Sequence, residues 1–345
     1  MGALALSVMI HWVAAVGADE AGPRVYGPHR FLARSATREA RESSGVAPSH
    51  FDPEVFWTHG DSGEARVHAF RLSAEDRGRG LAADLGSIRF RGQKFEDCED
   101  LAAGPEQTLY LFDGGNNPPC GRTNKRIFRF KEPKVDWTRP ARKMNLALES
   151  LRFEYPAADR PDRPAMRDDE RYDAECLLVH PATGDLYVVT KRDSRDRPAA
   201  RVYRLPGAGV RWNGPEVYVL RFVADLSGVI GGRTVAGMVT GGAVSPDGRR
   251  VVLRTYLTAY EFAVPAGRPF EEVFAQKPRA ISLLGEPQGE AVCYAANGDL
   301  ILTSEATPRD PRFPIYLVPC LTGQATPAAR PATRPEHAAP EAKGG

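Results

Sequence analysis

Short apolar runs recur along the chain in a fixed order: a run, a tight turn, a second run, a loop, and a third run with alternating aromatics. The plan occurs five times, read in full from the chain. It reads SGVAPSHFDPEVFWTHGDSG then ARVHAFRL from Ser44 to Leu72, and EDLAAGPEQTLYLFDGGNN then KRIFRF from Glu99 to Phe130. It returns as ECLLVHPATGDLYVVTKRD then ARVYRLP from Glu175 to Pro206, and as TGGAVSPDGRRVVLRTY then AYEFAVP from Thr240 to Pro265. The last copy is EAVCYAANGDLILTSEA then FPIYLVP, from Glu290 to Pro319. The runs are rich in Val, Leu, Ile and aromatics, as half-buried strands are. The first turns carry Asp52-Pro53, Gly104-Pro105, Thr183-Gly184-Asp185, Pro246-Asp247-Gly248 and Asn297-Gly298-Asp299, residues that favour sharp reversals.

Repetition at this spacing predicts an all-β chain, a β-propeller of five blades with four strands each. Fourth strands are expected at Gly86–Arg91, Glu149–Pro156, Val217–Val223 and Ala280–Leu284. The last blade takes its outer strand from Arg24–Arg34, so that the N-terminal strand closes it. Residues 24–320 then form one domain, with 131–171 an insertion loop; a sixth blade would have to hide in that Pro-, Arg- and Asp-rich stretch, which carries no turn signature. A β-sandwich with similar hairpins is the competing fold, but it does not predict one order repeated throughout.

The 17 residues from Met1 to Gly17 form an apolar run that ends in small residues, as a signal peptide does, although no Lys or Arg precedes it. Residues 1–18 are therefore expected to be a signal peptide and the chain to be secreted or periplasmic, without a membrane span after processing. Residues 323–345 are Ala/Pro-rich without periodicity and read as a disordered tail. The 345 residues carry a net charge of +2, with 42% hydrophobic and 26% charged positions; this is a globular balance, and it argues against nucleic-acid binding through bulk charge. The 33 Gly and 29 Pro fit many short strands joined by turns. A monomer is expected. Of the five cysteines, Cys98 and Cys120 flank one hairpin and are the candidate disulfide; Cys176 and Cys293 sit in apolar runs as core residues.

In a propeller, the start of each innermost strand and the end of the next share one face. The starts here are Ser44, Glu99, Glu175, Thr240 and Glu290, with Asp100 and Asp173 adjacent; the ends are Asp61, Asp113, Lys191 with Arg192, Arg254 with Tyr256, and Glu305. Burying unpaired carboxylates is costly, so this face implies channel water or nearby cations. For Ca2+ the chain offers Asp113, Asn116 and Asn117 close to Glu99, and Asp61 with the carbonyls of its Gly-rich loop. Lys191, Arg192, Arg254 and Tyr256 are the candidates to hold a small anionic or polar ligand. Ion pairing among the same residues, such as Glu175 with Lys191 or Glu290 with Arg254, is the plain structural alternative. His59, Asp61 and Ser62 share a loop but no G-x-S-x-G elbow exists, and C-x-x-C, H-E-x-x-H and phosphate-loop signatures are absent from the sequence.

The phrases FWTHGDSGEARVHAF, FEDCEDLA, YDAECLLVHPATGDLYVVTKR, TGGAVSPDGRRVVLRTY and EPQGEAVCYAANGDL resemble exported bacterial β-propeller proteins distantly similar to esterase-like and phytase-like propellers. The resemblance spans residues 44–305 and implies Ca2+ held by carboxylates at the channel mouth, with phosphomonoester hydrolysis there. By blade position the matching residues are Asp61, Glu99, Asp113, Glu175 and Glu290; Thr240 and Ser44 stand where acids would complete the pattern. The function expected is binding of Ca2+ and a small anionic ligand at the channel mouth, with metal-assisted phosphoester hydrolysis as its form if the chain is an enzyme, against two alternatives: a scaffold that binds an extracellular protein or glycan, and a five-bladed glycosidase.

Overall fold

The computed structural model describes residues 24–118, 120–135, 142–156, 172–232 and 234–322. The segments read as signal peptide and tail lie outside these residues, as does most of 156–171. Within them the chain is all-β and propeller-like. Antiparallel meanders follow one another along the sequence, each starting with its innermost strand. The first runs Gly45–Pro48, Val55–His59, Gly63–Arg71 and Leu81–Phe95. The second runs Asp100–Gly104, Thr108–Asp113, Arg126–Lys131 and Glu149–Glu154. The third is Tyr172–Val179, Leu186–Asp193, Arg201–Leu205 and Arg221–Asp225, and the fourth Val239–Val244, Arg250–Thr255, Thr258–Ala263 and Arg279–Ser282.

The last meander is Gly289–Tyr294, Leu300–Ser304 and Pro314–Val318, and its outer strand is Arg30–Ser35 from the other end of the chain, paired antiparallel to Pro314–Val318. Pairing the two ends in one sheet leaves neither as a free edge. The innermost strands touch in cyclic order: Gly45–Pro48 against Asp100–Gly104, then Tyr172–Val179, Val239–Val244 and Gly289–Tyr294, which returns to Gly45–Pro48.

Every innermost strand is short and mostly buried on both faces, and the apolar runs are continuous there rather than alternating. Side chains interdigitate between consecutive meanders. Trp57 and Phe90 pack with Leu101 and Phe128; Phe112 and Phe153 pack with Leu177 and Tyr203; Val189 and Val202 pack with Val251 and Phe262. Val252 and Ile281 pack with Leu302 and Tyr316, and Phe56 and Phe70 with Ile301 and Phe313, which returns the circle to its start. Full burial of each such side chain is worth about 1.5–3 kcal/mol, so the inter-sheet layers carry the stability. The first turns of the later meanders place Gly248 and Gly298 at φ 69° and 85°, where the sequence has the Asp-Gly and Asn-Gly pairs. In the second meander Glu106 and Gln107 occupy left-handed φ of 54° and 51°, without the glycine that normally eases it.

Three sequence expectations change. Residues 131–171 are not wholly an insertion, because Arg142–Leu146 pairs parallel to Leu81–Phe95, with Met144 and Leu146 against the first core. Val217–Val223 is not one strand. Val217–Val219 adds parallel to Glu149–Glu154, and Arg221–Asp225 starts the outer strand of the next meander. The chain thus crosses between neighbouring sheets at Leu220, which is buried. Cys98 and Cys120 are not joined; both are free thiols, as are Cys176, Cys293 and Cys320. Cys98 is buried next to Asp113 and Glu99, whereas Cys120 sits in a left-handed turn facing Asp173 and Lys125, so the two face different surroundings.

Candidate functional site

The starts of the innermost strands do collect at one end of the channel. Ser44, Glu99, Glu175, Thr240 and Glu290 are all buried there, at most 9% exposed. Lys191, from the end of Leu186–Asp193, donates its Nζ to Glu175 Oε1 and lies 5.2 Å from the centre of the Tyr256 ring. Glu290 accepts from Gln288 Nε2 at 3.0 Å. Three buried glutamates therefore share one buried lysine.

Their protonation follows from that imbalance. Burial, then the nearby Glu175 and Asp97 carboxylates, pushes Glu99 well above the usual carboxylate range. Burial likewise raises Glu290 to about 7, with Glu305 adding and Lys191 and Gln288 opposing. Burial alone would lower Lys191, but the facing Glu175 and Glu290 more than reverse it and hold the ammonium charged. Tyr256, half-buried beside the same acids, is pushed up to about 12 and stays a phenol.

A second tier of acids stands outside the first. Asp97 is raised by burial and by Asp173; Glu305 by burial and by Glu42; Glu42 by a hydrogen bond with Asp61. Glu42, Asp97, Asp173 and Gln288 each lie two residues before a predicted start (Ser44, Glu99, Glu175 and Glu290). Of these four only Asp173 lies in a strand; Glu42, Asp97 and Gln288 sit in the bends that lead into theirs. Sequence reasoning passed over Glu42, Asp97 and Gln288, although a polar residue at the same offset was the signal that could have found them.

Other predicted residues are engaged elsewhere. Asp113 accepts from the backbone N–H groups of Glu96 and Asp97 at 3.2 and 2.9 Å and from Arg122 Nη2 at 2.8 Å, so it holds a loop in place. Arg192 donates to Asp173 Oδ2 at 2.8 Å, to Asp196 and to Asn117. Asn116 binds across the same boundary, its backbone N–H to Asp173 Oδ1 at 2.8 Å. Arg254 has no exposed side-chain surface: it donates to Glu286 Oε2 at 3.1 Å and to the carbonyls of Ala291 and Thr303, bridging two meanders. Its partner is thus Glu286 rather than Glu290, and Gly289 is the residue that leaves it room, since a Cβ there would collide with the guanidinium. His59 is buried, its Nδ1 2.8 Å from the Gly60 carbonyl, and burial lowers its pKa; it has no serine partner.

The Ca2+ expectation meets a donor set that does not fit a pre-built metal centre. Among the described residues no three His, Cys, Asp or Glu side chains converge on one ion position. Asp113 is spent on Arg122 and two amides, and Glu175 lies on Lys191.

The geometry defines a propeller-like all-β chain with an acidic, partly protonated channel mouth. No protein-family model matches it, and no curated protein matches it. Solved structures that resemble it include a nidogen/laminin complex (14% identity, TM-score 0.36, covering 77% of this chain and 73% of that one). Others are a glucose dehydrogenase (11%, 0.41, 85% and 100%) and the Malassezia sympodialis allergen Mala s 1 (11%, 0.41, 80% and 78%). Likenesses this distant carry no argument about activity.

Proposed function

We propose that the chain is a five-bladed propeller whose acidic mouth binds a small organic cation, an amine or polyamine. The blade count is supported by the cyclic contacts of the innermost strands and by the closed circle of inter-sheet cores. The reading of the mouth rests on one observation: three buried glutamates face a single lysine, with further acids behind them. An arriving ammonium would offset the burial and the neighbouring acids that raise Glu99 and Glu290, and its N–H donors suit carboxylate acceptors. A phosphate finds less support, because Lys191, Arg192 and Arg254 are each matched to an acid.

The test is a binding panel of putrescine, spermidine, CaCl2 and inorganic phosphate against the native chain and Glu290→Gln. Amine binding that weakens at least tenfold in the variant supports the reading; binding of phosphate with no amine binding overturns it. One observation favours a second reading. A carboxyl with its pKa raised to about 7 is suited to be a general acid, so Glu290 could protonate a leaving glycosidic oxygen. Turnover of aryl glycosides, lost in Glu290→Gln, would move the conclusion there.

A further inference from the structure

The opposite end of the channel holds a cavity of ≈ 470 Å³ whose wall comes from all the innermost strands, at the ends remote from the acids. Its lining is chiefly Val, Ala, Gly, Leu and Pro, with the ring of Tyr294. The polar side chains around it are bonded elsewhere. Tyr294 donates its hydroxyl to Glu261 at 2.9 Å. His50 sits with Nδ1 2.7 Å from Glu132 and Nε2 3.0 Å from the Gly104 carbonyl, and Ser49 donates to the same Glu132. Ser49, His50 and Glu132 are therefore a fixed rim and not a catalytic triad, since the serine bonds to the glutamate instead of the imidazole. Glu106 and Gln107, the strained turn, are exposed at the edge, where Glu106 binds Lys131.

The cavity opens to solvent at a rim where His50, Pro53, Glu106 and Gln107 are exposed, and its inner wall is formed by buried strand residues. Ala103 and Ala243 are half-buried on the wall, where a larger side chain would have filled the space. Gly104 and Gly242 are small for another reason, the approach of Tyr110 and Val179 and of Val252 and Leu253. A wall without a free charge or buried free donor penalises a charged or strongly polar occupant and rewards carbon surface.

We infer that this cavity is a second binding site, for an uncharged apolar molecule of two or three rings. A cavity of about 150 Å³ takes one benzene, which sets the size. The site is independent of the acidic mouth and of what binds there.

The probe is N-phenyl-1-naphthylamine, followed by its fluorescence, with naphthalene and naphthalene-2-sulfonate as competitors. The expected result is saturable binding of one probe per chain, displaced by naphthalene and at least tenfold less well by the sulfonate. Ala243→Phe and Ala103→Phe, each filling the cavity, should weaken the probe at least tenfold while leaving the unfolding temperature and amine binding at the mouth near native values. If either variant does not fold, Ala103→Leu and the neutral-against-charged comparison on the native chain decide. Non-saturable binding, equal competition by the sulfonate, or a probe affinity unmoved by filling overturns the inference.

Discussion

The two ends of the channel are built from the same short strands and have opposite chemistry. At their starts stand Glu99, Glu175 and Glu290, held by one lysine; at their far ends stand Ala, Val, Gly and Pro around an uncharged cavity. Asp100, next to Glu99 and ahead of the first cavity residue of its strand, lies between them. It accepts the backbone N–H of Leu177 on the neighbouring strand at 2.8 Å and that of Leu101 at 2.8 Å. The contrast shows that carboxylates in a propeller core do different work according to what faces them. Burial raises the pKa of all three; at Asp100 amide donors oppose the shift and fasten neighbouring sheets together, whereas at Glu99 and Glu290 neighbouring acids add to it.

Removing Asp100 should have the largest effect. Asp100→Ala leaves two buried amides without an acceptor, a loss of about 4 kcal/mol in denaturant unfolding. A loss below about 1 kcal/mol would mean that the boundary between the two ends is not built on this residue. Lys191→Met comes next, costing about 3 kcal/mol at pH 8, because it leaves Glu175 buried without its cation. The cost should shrink at pH 5, where the carboxyls take up protons; equal destabilisation at both would deny that the mouth is an unbalanced acid cluster.

Native stability should itself fall with rising pH on account of Glu290. A carboxyl whose pKa folding raises binds its proton more tightly in the native chain. Its contribution is fully present below about pH 4.5 and lost as the pH climbs through about 7. Glu290→Gln should flatten that window by about 1–3 kcal/mol, and an unchanged slope would assign the titration elsewhere. The smallest effect concerns the cysteines. With all of them free, reductant should leave the unfolding temperature unmoved, and a downward shift would restore a disulfide.

The architecture was legible because each repeat announces itself through turn residues and an apolar run, and because closure requires the N-terminal strand. The site was legible in part. Equivalent strand starts gave Glu99, Glu175 and Glu290, and Lys191 falls on the same face because the second strand returns antiparallel. What stayed hidden depends on which partner a side chain finds. Arg254 was expected on the mouth but turns inward to Glu286, a residue in a connecting loop with no repeat position. Asp113 was expected as a ligand but caps the loop that precedes its own meander. The strained Glu106-Gln107 turn has no glycine to mark it, and the apolar cavity is an absence of side-chain volume, which no single residue encodes.

The central claim is that the mouth exchanges protons for a cation. Calorimetric titration of spermidine at pH 5.5, 6.5 and 7.5, in two buffers of different ionisation enthalpy, counts the protons released on binding. The account predicts release of about one proton near pH 6.5, with affinity rising at least tenfold across the range. Binding that is flat in pH and releases no proton would contradict it.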